Sequence, residues 1–378
     1  MPDKVFMSRA LKLAKRGMFS TAPNPNVGCV IVNNGNIVGE GWHQQTGKDH
    51  AEIHALKKAG SKAQDSTVYV TLEPCCHYGL TAPCCYSLIK AGVNRIVCAV
   101  KDPNPKVSGK GLSLLQQAGI TVNHGLMMKE SKEINRGFFK RMHTGHPWLQ
   151  LKLGTSLDGR IAMNNGESKW ITSQDARNDA QLYRAQSSAI ISTSSTVLAD
   201  DPCLTVRWSQ IKQKTNFFSN KKQLRQPLRV IIDRNNRITP KYKLINQPGE
   251  TWLIRKKQDD NVWPSNVIQI VLPDFKQKDN LSQILSLLGK HQINNALVEA
   301  GGTFAGTLIQ SGLIDELIIY IAPKILGGDS ISFCTLSGLS NLKDVPTFLY
   351  SDVKKIGNDI RLILIPVKSR KNLLITDR

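Results

Sequence analysis

Short apolar runs alternate with helical patterns in the first third of the chain, and this alternation limits its fold more than any other feature. Two strands are predicted around a turn with the sequence Asn-Asn-Gly-Asn at 33–36, and helices separate the later strands. The predicted elements are a helix at 6–14, strands at 27–32 and 37–41, a helix at 51–59, a strand at 68–72, a helix at 84–91, a strand at 95–100, a helix at 109–118 and a strand at 120–122. Because crossover helices join the late strands, we expect a mixed sheet with helices on both faces.

A second α/β domain is predicted after a break in the helical periodicity at 141–147. A strand-like run begins at Trp148, so we place the boundary near residue 145 and expect domains at 1–145 and 146–378. Further strands are predicted at 189–192, 229–232, 251–254, 267–271, 296–298 and 317–321. The polar, lysine-rich segment 208–226 between them is interpreted as an exposed insertion. A length of 378 residues agrees with two or three domains of roughly 150 residues each.

The chain is strongly basic, with 50 Lys and Arg against 29 Asp and Glu and a formal net charge of +21. These charges are scattered along the sequence, and the local clusters at 221–222, 255–257 and 368–371 are short and far apart. None is interleaved with the regular aromatic residues of a base-stacking surface. We therefore interpret the charge as a background that helps to attract a phosphorylated substrate and an anionic cofactor, and we expect no nucleic-acid partner.

The distribution of apolar residues and cysteines indicates the compartment. No run approaches the roughly 18 apolar residues of a membrane span, and the start Met-Pro-Asp-Lys does not resemble a signal peptide. We expect a soluble, cytoplasmic protein without a membrane partner. Of eight cysteines, four lie at 75, 76, 84 and 85. In such a protein, adjacent cysteines indicate metal or redox chemistry before disulfides.

The triplet His50-Ala51-Glu52 and the cysteines that follow Pro74 and Pro83 predict a catalytic zinc site. Such a site has three protein ligands and one open position for water, and one histidine with two thiolates supplies them. Glu52 would begin the next helix beside the metal, where it can carry a proton from the water to a leaving amine. The residues alone leave Cys76 and Cys85 open as competing ligands, and a structural zinc open as well. We interpret His43, His54 and His77 as structural or substrate-facing.

This pattern resembles the zinc-dependent cytidine and nucleobase deaminases, whose signature is H-x-E followed by P-C-x-x-C. The spacing differs, because positions 76–83 lie between the two cysteines. The text Pro-Cys-Cys-His-Tyr-Gly-Leu-Thr-Ala-Pro-Cys-Cys at 74–85 resembles one branch, with the pattern P-C-S-H-x-G-x-T-P-P-C. That branch is the deaminase half of the bifunctional riboflavin-biosynthesis deaminase/reductases, and the texts Asn-Pro-Asn-Val-Gly-Cys-Val at 24–30 and Lys-Asp-Pro-Asn-Pro at 101–105 fit it too.

The resemblance also selects between the candidate ligands. Cys76 replaces the usual serine and Ala82 the first proline of the pair, but the ligand cysteines of the branch directly follow prolines. We therefore predict His50, Cys75 and Cys84 as the metal ligands and Glu52 as a catalytic residue.

The best local signal in the second half is a strand that runs into a glycine-rich turn and a helix at 298–308. Glycines let backbone amides approach an anion closely, and a helix N-terminus holds phosphate. The turn is neither a dinucleotide fingerprint nor a P-loop, so a tight turn without a ligand remains an equal alternative.

The second half resembles the reductase half of the same bifunctional family, which is similar in fold to dihydrofolate reductase and uses NADPH. The matching texts are Lys-Leu-Gly-Thr-Ser-Leu-Asp-Gly-Arg at 152–160, Ser-Lys-Trp-Ile-Thr-Ser at 168–173, Thr-Val-Leu-Ala-Asp-Asp-Pro at 196–202 and the turn at Glu299. The implied fold is a cytidine-deaminase-like three-layer α/β/α domain followed by a dihydrofolate-reductase-like α/β domain.

Carried over position by position, the resemblance implies two sets of binding residues. The cofactor set is Gly154, Trp170, Thr196, Asp200, Gly301, Gly302, Thr303, Phe304, Ala305, Gly306 and Thr307. The substrate set is Ser168, Arg184, Leu204, Arg207 and Glu299. Arg184 and Arg207 have the fork geometry suited to a phosphate, with surface solvation as the alternative. We predict Lys152 as a catalytic residue that assists opening of the sugar ring by donating a proton.

The resemblance implies two consecutive reactions on one phosphorylated aminopyrimidine. The first is zinc-dependent hydrolytic deamination of 2,5-diamino-6-(5-phosphoribosylamino)pyrimidin-4(3H)-one, and the second is NADPH-dependent reduction of the ribosyl group of 5-amino-6-(5-phosphoribosylamino)uracil to ribityl. Two alternatives compete: a deaminase of transfer-RNA type with a C-terminal binding module, and a zinc-stabilised scaffold without activity. The residues alone leave open NADPH against NADH and the formation of a homo-oligomer.

Overall fold

The computed structural model describes residues 2–78, 82–105, 107–211, 224–272 and 277–367. These residues fall into two compact units, the first ending at His146 and the second beginning at Pro147. The change of unit thus lies next to the predicted boundary at residue 145. None of the helices in the described part of the chain has the length and apolar character needed to cross a membrane.

The described residues of the first unit form one five-stranded sheet with helices on both faces. Its helices are α1 (Pro2–Ala14), α2 (Ala51–Ala59), α3 (Cys84–Lys90), α4 (Lys110–Gln117), α5 (Met128–Ile134) and α6 (Arg136–Thr144). Its strands are β1 (Gly28–Asn33), β2 (Asn36–Trp42), β3 (Thr67–Val70), β4 (Arg95–Cys98) and β5 (Thr121–His124). The strand order is β2-β1-β3-β4-β5, and β3, β4 and β5 are parallel to one another. This arrangement is the expected α/β/α architecture.

Strand β1 shows why both faces of this sheet are covered. Cys29 and Ile31 pack with α2, α3 and α4 on one side, whereas Val30 and Val32 pack with α1 on the other. Such alternation follows from the two-residue period of a strand. Close packing also fixes the start of α2, because a Cβ atom at Gly41 would lie 2.2 Å from the carbonyl oxygen of Ala51.

The described residues of the second unit form a nine-stranded sheet and a short two-stranded ribbon. Its strands are β6 (Trp148–Ser156), β7 (Arg160–Ala162), β8 (Ala189–Thr193), β9 (Leu228–Ile232), β10 (Thr251–Arg255), β11 (Val267–Val271), β12 (Asn295–Val298), β13 (Glu316–Ala322), β14 (Ile331–Ser332), β15 (Phe348–Ile356) and β16 (Asp359–Pro366). Its helices are α7 (Gln174–Gln186), α8 (Ser194–Asp200), α9 (Trp208–Ile211), α10 (Gln277–Lys290) and α11 (Gly302–Ser311).

The topology of the large sheet brings distant segments to one edge. Its order is β11-β10-β9-β8-β12-β6-β13-β16-β15, and the first seven strands of this order are parallel. Helices α10 and α11 pack on the face that carries Leu149 and Leu151, and α7 packs on the face that carries Ile318 and Tyr320. The carboxyl ends of the seven parallel strands therefore meet at the same edge, where ligands bind in open α/β sheets.

Two expectations about local structure are wrong. Residues 141–144 continue helix α6, and the chain leaves the helix only at Gly145, which adopts a left-handed conformation with φ of 71°. The segment 208–226 is not exposed at its ends, because Ile211 is fully buried and the Val206 N–H donates to Gln226 Oε1 at 2.9 Å. The middle of that segment, with Lys221 and Lys222, and the basic tail at 368–371 lie outside the described residues.

Candidate active sites

Three donor atoms converge in the first unit at the predicted metal site. His50 is the N-cap of α2, Cys75 lies in the loop after β3, and Cys84 is the first residue of α3. The His50 Nδ1 atom is 3.5 Å from Cys75 Sγ and 3.3 Å from Cys84 Sγ, and the three donor atoms lie within 4.8 Å of one another. One nitrogen and two sulfurs at these distances fit a tetrahedral zinc ion that keeps one position open.

The surroundings of Cys75 Sγ favour its thiolate form, whereas the hydrogen bond with Cys75 and burial raise the pKa of the Cys84 thiol. The Cys84 N–H donates to Cys75 Sγ at 3.3 Å. Hydrogen bonding from Cys84 lowers the pKa of the Cys75 thiol, although burial opposes this change, and His50 lowers it further. The pair with Cys75 in turn raises the pKa of His50. A thiolate next to a histidine ring shares a proton with it, and a divalent cation can displace this proton and bind both groups.

Glu52 lies beside these donors, one residue into helix α2. Its side chain is buried, at 3% exposure. Burial raises the pKa of Glu52 to about 7, while the nearby His50 acts in the opposite direction. A carboxyl group held in a dry environment with a pKa near neutrality can both accept and return a proton.

The competing cysteines lie elsewhere. Cys85 is fully buried, and its thiol points to the carbonyl oxygens of Pro74 and Gly111 at 3.3 and 3.6 Å. Burial raises the pKa of this thiol, so Cys85 remains a neutral core residue. Cys76 is half-buried and is not one of the three converging donors. Within the described residues, which include all eight cysteines, each of them is free.

His43 supports the site from behind His50. Its Nδ1 donates to the Asp49 carbonyl oxygen at 3.1 Å, which leaves Nε2 to accept from the Asn24 amide at 3.1 Å. Burial lowers the pKa of His43 to about 4, so the ring is neutral and its tautomer is fixed by these two partners. Its ring meets that of His50 edge-on, with 5.2 Å between the centroids.

Glu73 directly precedes the Pro-Cys pair of the zinc motif, and no role was predicted for it. Its buried carboxylate accepts four backbone N–H groups, from Asp102, Gly109, Gly111 and Leu112, at 2.9–3.3 Å. A Cβ atom at Gly111 would lie only 2.1 Å from the Pro74 carbonyl oxygen. Glu73 thus holds the loop that carries Cys75 against the start of α4. The signal available in the sequence is an acidic residue before Pro-Cys and the glycines at 109 and 111.

In the second unit, the predicted substrate residues Arg184 and Glu299 form one ion pair. Arg184 donates to both carboxylate oxygens of Glu299 at 2.5 and 2.9 Å, and to the Thr205 carbonyl oxygen at 2.9 Å. Burial alone would raise the pKa of Glu299. The ion pair with Arg184 outweighs this effect, and the nearby charges of Lys152 and Arg207 add to it, so the pKa of Glu299 is lowered to about 2. Arg184 is therefore engaged within the chain, whereas Arg207 is exposed.

The remaining predicted substrate residues differ in accessibility. Ser168 is half-buried. Leu204 is 2% exposed and has a φ of 49°, so neither its side chain nor its backbone presents an accessible surface to a ligand. The exposed ring of Trp170, assigned to the cofactor set, stacks on the Arg177 guanidinium with 4.3 Å between the charge centre and the centroid.

Some residues of the glycine-rich turn are packed against the rest of the second unit, and others are accessible to a ligand. A Cβ atom at Gly302 would lie 2.2 Å from the Ser332 carbonyl oxygen, and one at Gly306 would lie 1.9 Å from that of Thr335. Ala305 is fully buried in the core. In contrast, a Cβ atom at Gly301 would meet nothing within 4 Å among the described residues, and Thr303 is exposed. Phe304 and Thr307 are half-buried.

Two strand ends supply the other predicted cofactor residues. Gly154 lies near the end of β6, and Thr196 and Asp200 lie on α8, directly after β8. Arg237, in the loop after β9, was not predicted as a site residue. Its Nη2 donates to the hydroxyls of Ser194 and Ser195, each at 2.8 Å. Because β8 and β9 are adjacent parallel strands, this contact lies at the same edge.

Comparisons with known proteins agree with both halves. The family described as the cytidine and deoxycytidylate deaminase zinc-binding region matches residues 1–100, and the RibD C-terminal domain matches residues 147–362. The riboflavin biosynthesis protein RibD of Escherichia coli K12 is 56% identical over 365 residues, which cover 97% of this chain and all of that protein.

Two solved structures are similar over nearly the whole chain. Acinetobacter baumannii RibD superposes with a TM-score of 0.88 and 41% identity, covering 97% of this chain and 99% of that one. A Thermotoga maritima diaminohydroxyphosphoribosylaminopyrimidine deaminase/5-amino-6-(5-phosphoribosylamino)uracil reductase gives a TM-score of 0.85 and 31% identity, with the same coverage.

These matches confirm the resemblance and the predicted fold class. The second half is a reductase domain, so the alternative of a C-terminal binding module is wrong. A zinc-binding deaminase domain and a reductase domain call for zinc and a nicotinamide cofactor in general. The chain belongs to the RibD family of riboflavin biosynthesis proteins and is a bifunctional deaminase and reductase.

Proposed function

We propose that the first unit hydrolyses the amino group of 2,5-diamino-6-(5-phosphoribosylamino)pyrimidin-4(3H)-one, with one zinc ion held by His50, Cys75 and Cys84. The observation that carries this proposal is the convergence of these three donor atoms beside a buried carboxyl group. Zinc held by these residues would lower the pKa of a bound water toward neutrality. Glu52 takes a proton from the attacking water and returns it to the leaving amine, which departs as ammonia.

The second unit then reduces the ribosyl group of 5-amino-6-(5-phosphoribosylamino)uracil to ribityl. Lys152 donates a proton to the sugar ring oxygen as the bond from this oxygen to C1 breaks and the nitrogen on C1 forms a C=N bond in its place. A nicotinamide cofactor, when bound, would supply the hydride that reduces this carbon. Three cations, Lys152, Arg184 and Arg207, act on the single carboxylate of Glu299. This excess of positive charge supports binding of a phosphorylated substrate, and the exposed Arg207 is the cation available to the phosphate.

The cofactor in this proposal is NADPH rather than NADH. Gly154, Thr196, Asp200, Gly301 and Thr303 are distributed along the ligand-binding edge of the parallel sheet, which suits an extended dinucleotide. At the same edge, after the neighbouring strand β9, the guanidinium of Arg237 donates to two serine hydroxyls in the first turn of helix α8. It places a positive charge and hydrogen-bond donors there. Such a group favours the cofactor that carries an additional phosphate.

A Glu52→Gln variant tests the deaminase assignment. Gln keeps the size of the side chain but cannot carry the proton, so we expect bound zinc to stay at one ion per chain. Ammonia release should fall at least about 100-fold. NADPH oxidation with the deaminated intermediate supplied should continue, and the change Glu130→Gln, at an exposed position on α5, is the control. Retained ammonia release in Glu52→Gln would refute the assignment.

An Arg207→Ala variant tests the reductase assignment. Loss of a charged phosphate contact should raise the KM for the phosphorylated substrate by about 10-fold or more, with deamination intact. Lys354→Ala, which removes an exposed cation from β15, is the matched control. An unchanged KM in Arg207→Ala would remove this residue from the site.

A further inference from the structure

The ring of Tyr320 lies within reach of the Lys152 ammonium group on the face of the large sheet that helix α7 covers. In the register of β6 and β13, Tyr320 is paired with Gly154, and Lys152 lies two residues before Gly154 on the same face. The Lys152 Nζ atom is 5.9 Å from the centroid of the tyrosine ring. This distance lies within the range of roughly 6 Å over which an aromatic face attracts a cation.

The tyrosine ring is fixed at its far end. Tyr320 is 1% exposed, and its hydroxyl donates to Asp179 Oδ2 at 2.7 Å. The same carboxylate oxygen accepts from Arg361 Nη1 at 2.8 Å, and Arg361 also binds Asp352 at 2.7 Å. The carboxylate of Asp179 is therefore compensated, and the ring is held between its backbone and this buried hydrogen bond.

The other charged groups around Lys152 do not hold its ammonium group in place. Glu299, after β12, attracts it, but both oxygens of that carboxylate already accept from Arg184 on α7. Among the described residues, Lys152 Nζ makes no hydrogen bond. Burial lowers the pKa of Lys152, Glu299 raises it and Arg184 lowers it. The aromatic face and the carboxylate of Glu299 both favour the protonated form, and the ring of Tyr320 does so without using a hydrogen-bond position of the ammonium group.

We propose that Tyr320 is a positioning residue of the reductase, whose ring face holds the Lys152 ammonium group, protonated and with its N–H groups free, toward the sugar of the substrate. Asp179 fixes the ring in this position. The inference rests on the proposed function, in which Lys152 donates a proton as the sugar ring opens.

The test is the pH dependence of NADPH oxidation by the full-length chain, with the deaminated intermediate supplied. Activity that needs a protonated lysine is lost as the pH rises through the pKa of Lys152. In Tyr320→Leu the aromatic face is absent, so this alkaline limb should move to lower pH by about 0.5 to 1.5 units. At a fixed pH above the pKa of Lys152 in both proteins, the reduction rate should fall about 3- to 30-fold.

Tyr320→Phe keeps the aromatic face but loses the hydrogen bond to Asp179. Because the ring stays packed at this buried position, the alkaline limb should remain close to that of the parent chain. A shape-conserving series covers the case in which Tyr320→Leu fails to fold: phenylalanine with increasing numbers of fluorine atoms, introduced at position 320, keeps the packing and weakens the negative ring face. The limb should then move downward step by step with fluorination. Ammonia release by the same preparations, which depends on the first unit, should not change.

The variant Lys152→Met separates failure of this inference from failure of the proposed function. Retained reduction in Lys152→Met would overturn the proton-donor role and the inference with it. Loss of reduction in Lys152→Met, together with an alkaline limb that stays constant through the fluorinated series, would overturn only the role of Tyr320.

Discussion

Replacing Gly306 with alanine should destabilise the second unit, because the added methyl group would collide with the backbone of Thr335. The added Cβ would lie 1.9 Å from the Thr335 carbonyl oxygen and 2.7 Å from its carbon, so helix α11 or the 332–335 segment has to move by about 1 Å. Overpacking of this kind costs about 1–3 kcal/mol or more, and alanine returns up to about 1 kcal/mol of helix propensity. We expect a net loss of about 2 kcal/mol, or about 4–8 °C in the melting temperature of this unit.

Gly301→Ala is the matched control for this prediction. Gly301 has an extended backbone, with φ of −72°, and open space around its Cβ position, so alanine should leave the melting temperature unchanged. It should instead raise the Kd for NADPH, since the added methyl group occupies the space where a phosphate approaches the helix. Thermal unfolding without ligand and NADPH binding by fluorescence measure both effects. An unchanged melting temperature in Gly306→Ala, with NADPH binding alone weakened, would refute the packing argument.

Three further predictions concern the two sites. Cys84→Ser should lose bound zinc and ammonia release, whereas Cys85→Ser should retain one zinc ion per chain; equal loss of metal from both would contradict the ligand set. The ion pair of Glu299 holds its pKa near 2 against an ordinary value of 4.5, which contributes on the order of 3 kcal/mol of stability at pH 7. This contribution is complete above pH 4.5 and is lost as the pH falls toward 2. The difference in free energy of unfolding between the parent chain and Glu299→Gln should therefore decrease only below pH 4.5. A difference that does not depend on pH would contradict the stabilising role of this ion pair. Arg237→Gln should raise the KM for NADPH about 10-fold or more and leave that for NADH unchanged, and equal effects on both cofactors would exclude Arg237 as the group that distinguishes them.

The deaminase half was accessible to sequence reasoning because its chemistry is local. His50 and Glu52 lie on either side of the first residue of α2, and Cys75 and Cys84 each follow a proline, so spacing and chemistry point to the same residues. The role of Glu73 was not accessible, since its four N–H partners lie 29 to 39 positions further along the chain. Only folding brings this carboxylate to the start of α4.

The second half shows the limits more clearly. Arg184 and Glu299 are 115 positions apart, and nothing in their local sequences predicts that each binds the other rather than a ligand. Strand β15 was missed because it is an edge strand that is exposed on both faces over most of its length, so it lacks the alternating burial by which strands are recognised. The glycines of the 301–307 turn look alike in the sequence. In the structure, Gly302 and Gly306 pack against the backbone of segment 332–335, whereas the Cβ position of Gly301 is open.

The most direct test of the account is a coupled measurement on one preparation of the full-length chain, with bound zinc determined on the same sample. Supplied with the phosphorylated diaminopyrimidine and NADPH, the protein should release one ammonia per NADPH oxidised, with one zinc ion per chain. Removal of zinc by a chelator should stop ammonia release but leave oxidation of NADPH with the deaminated intermediate. Ammonia release that survives loss of zinc, or NADPH oxidation that stops with it even when the intermediate is supplied, would contradict two separate active sites.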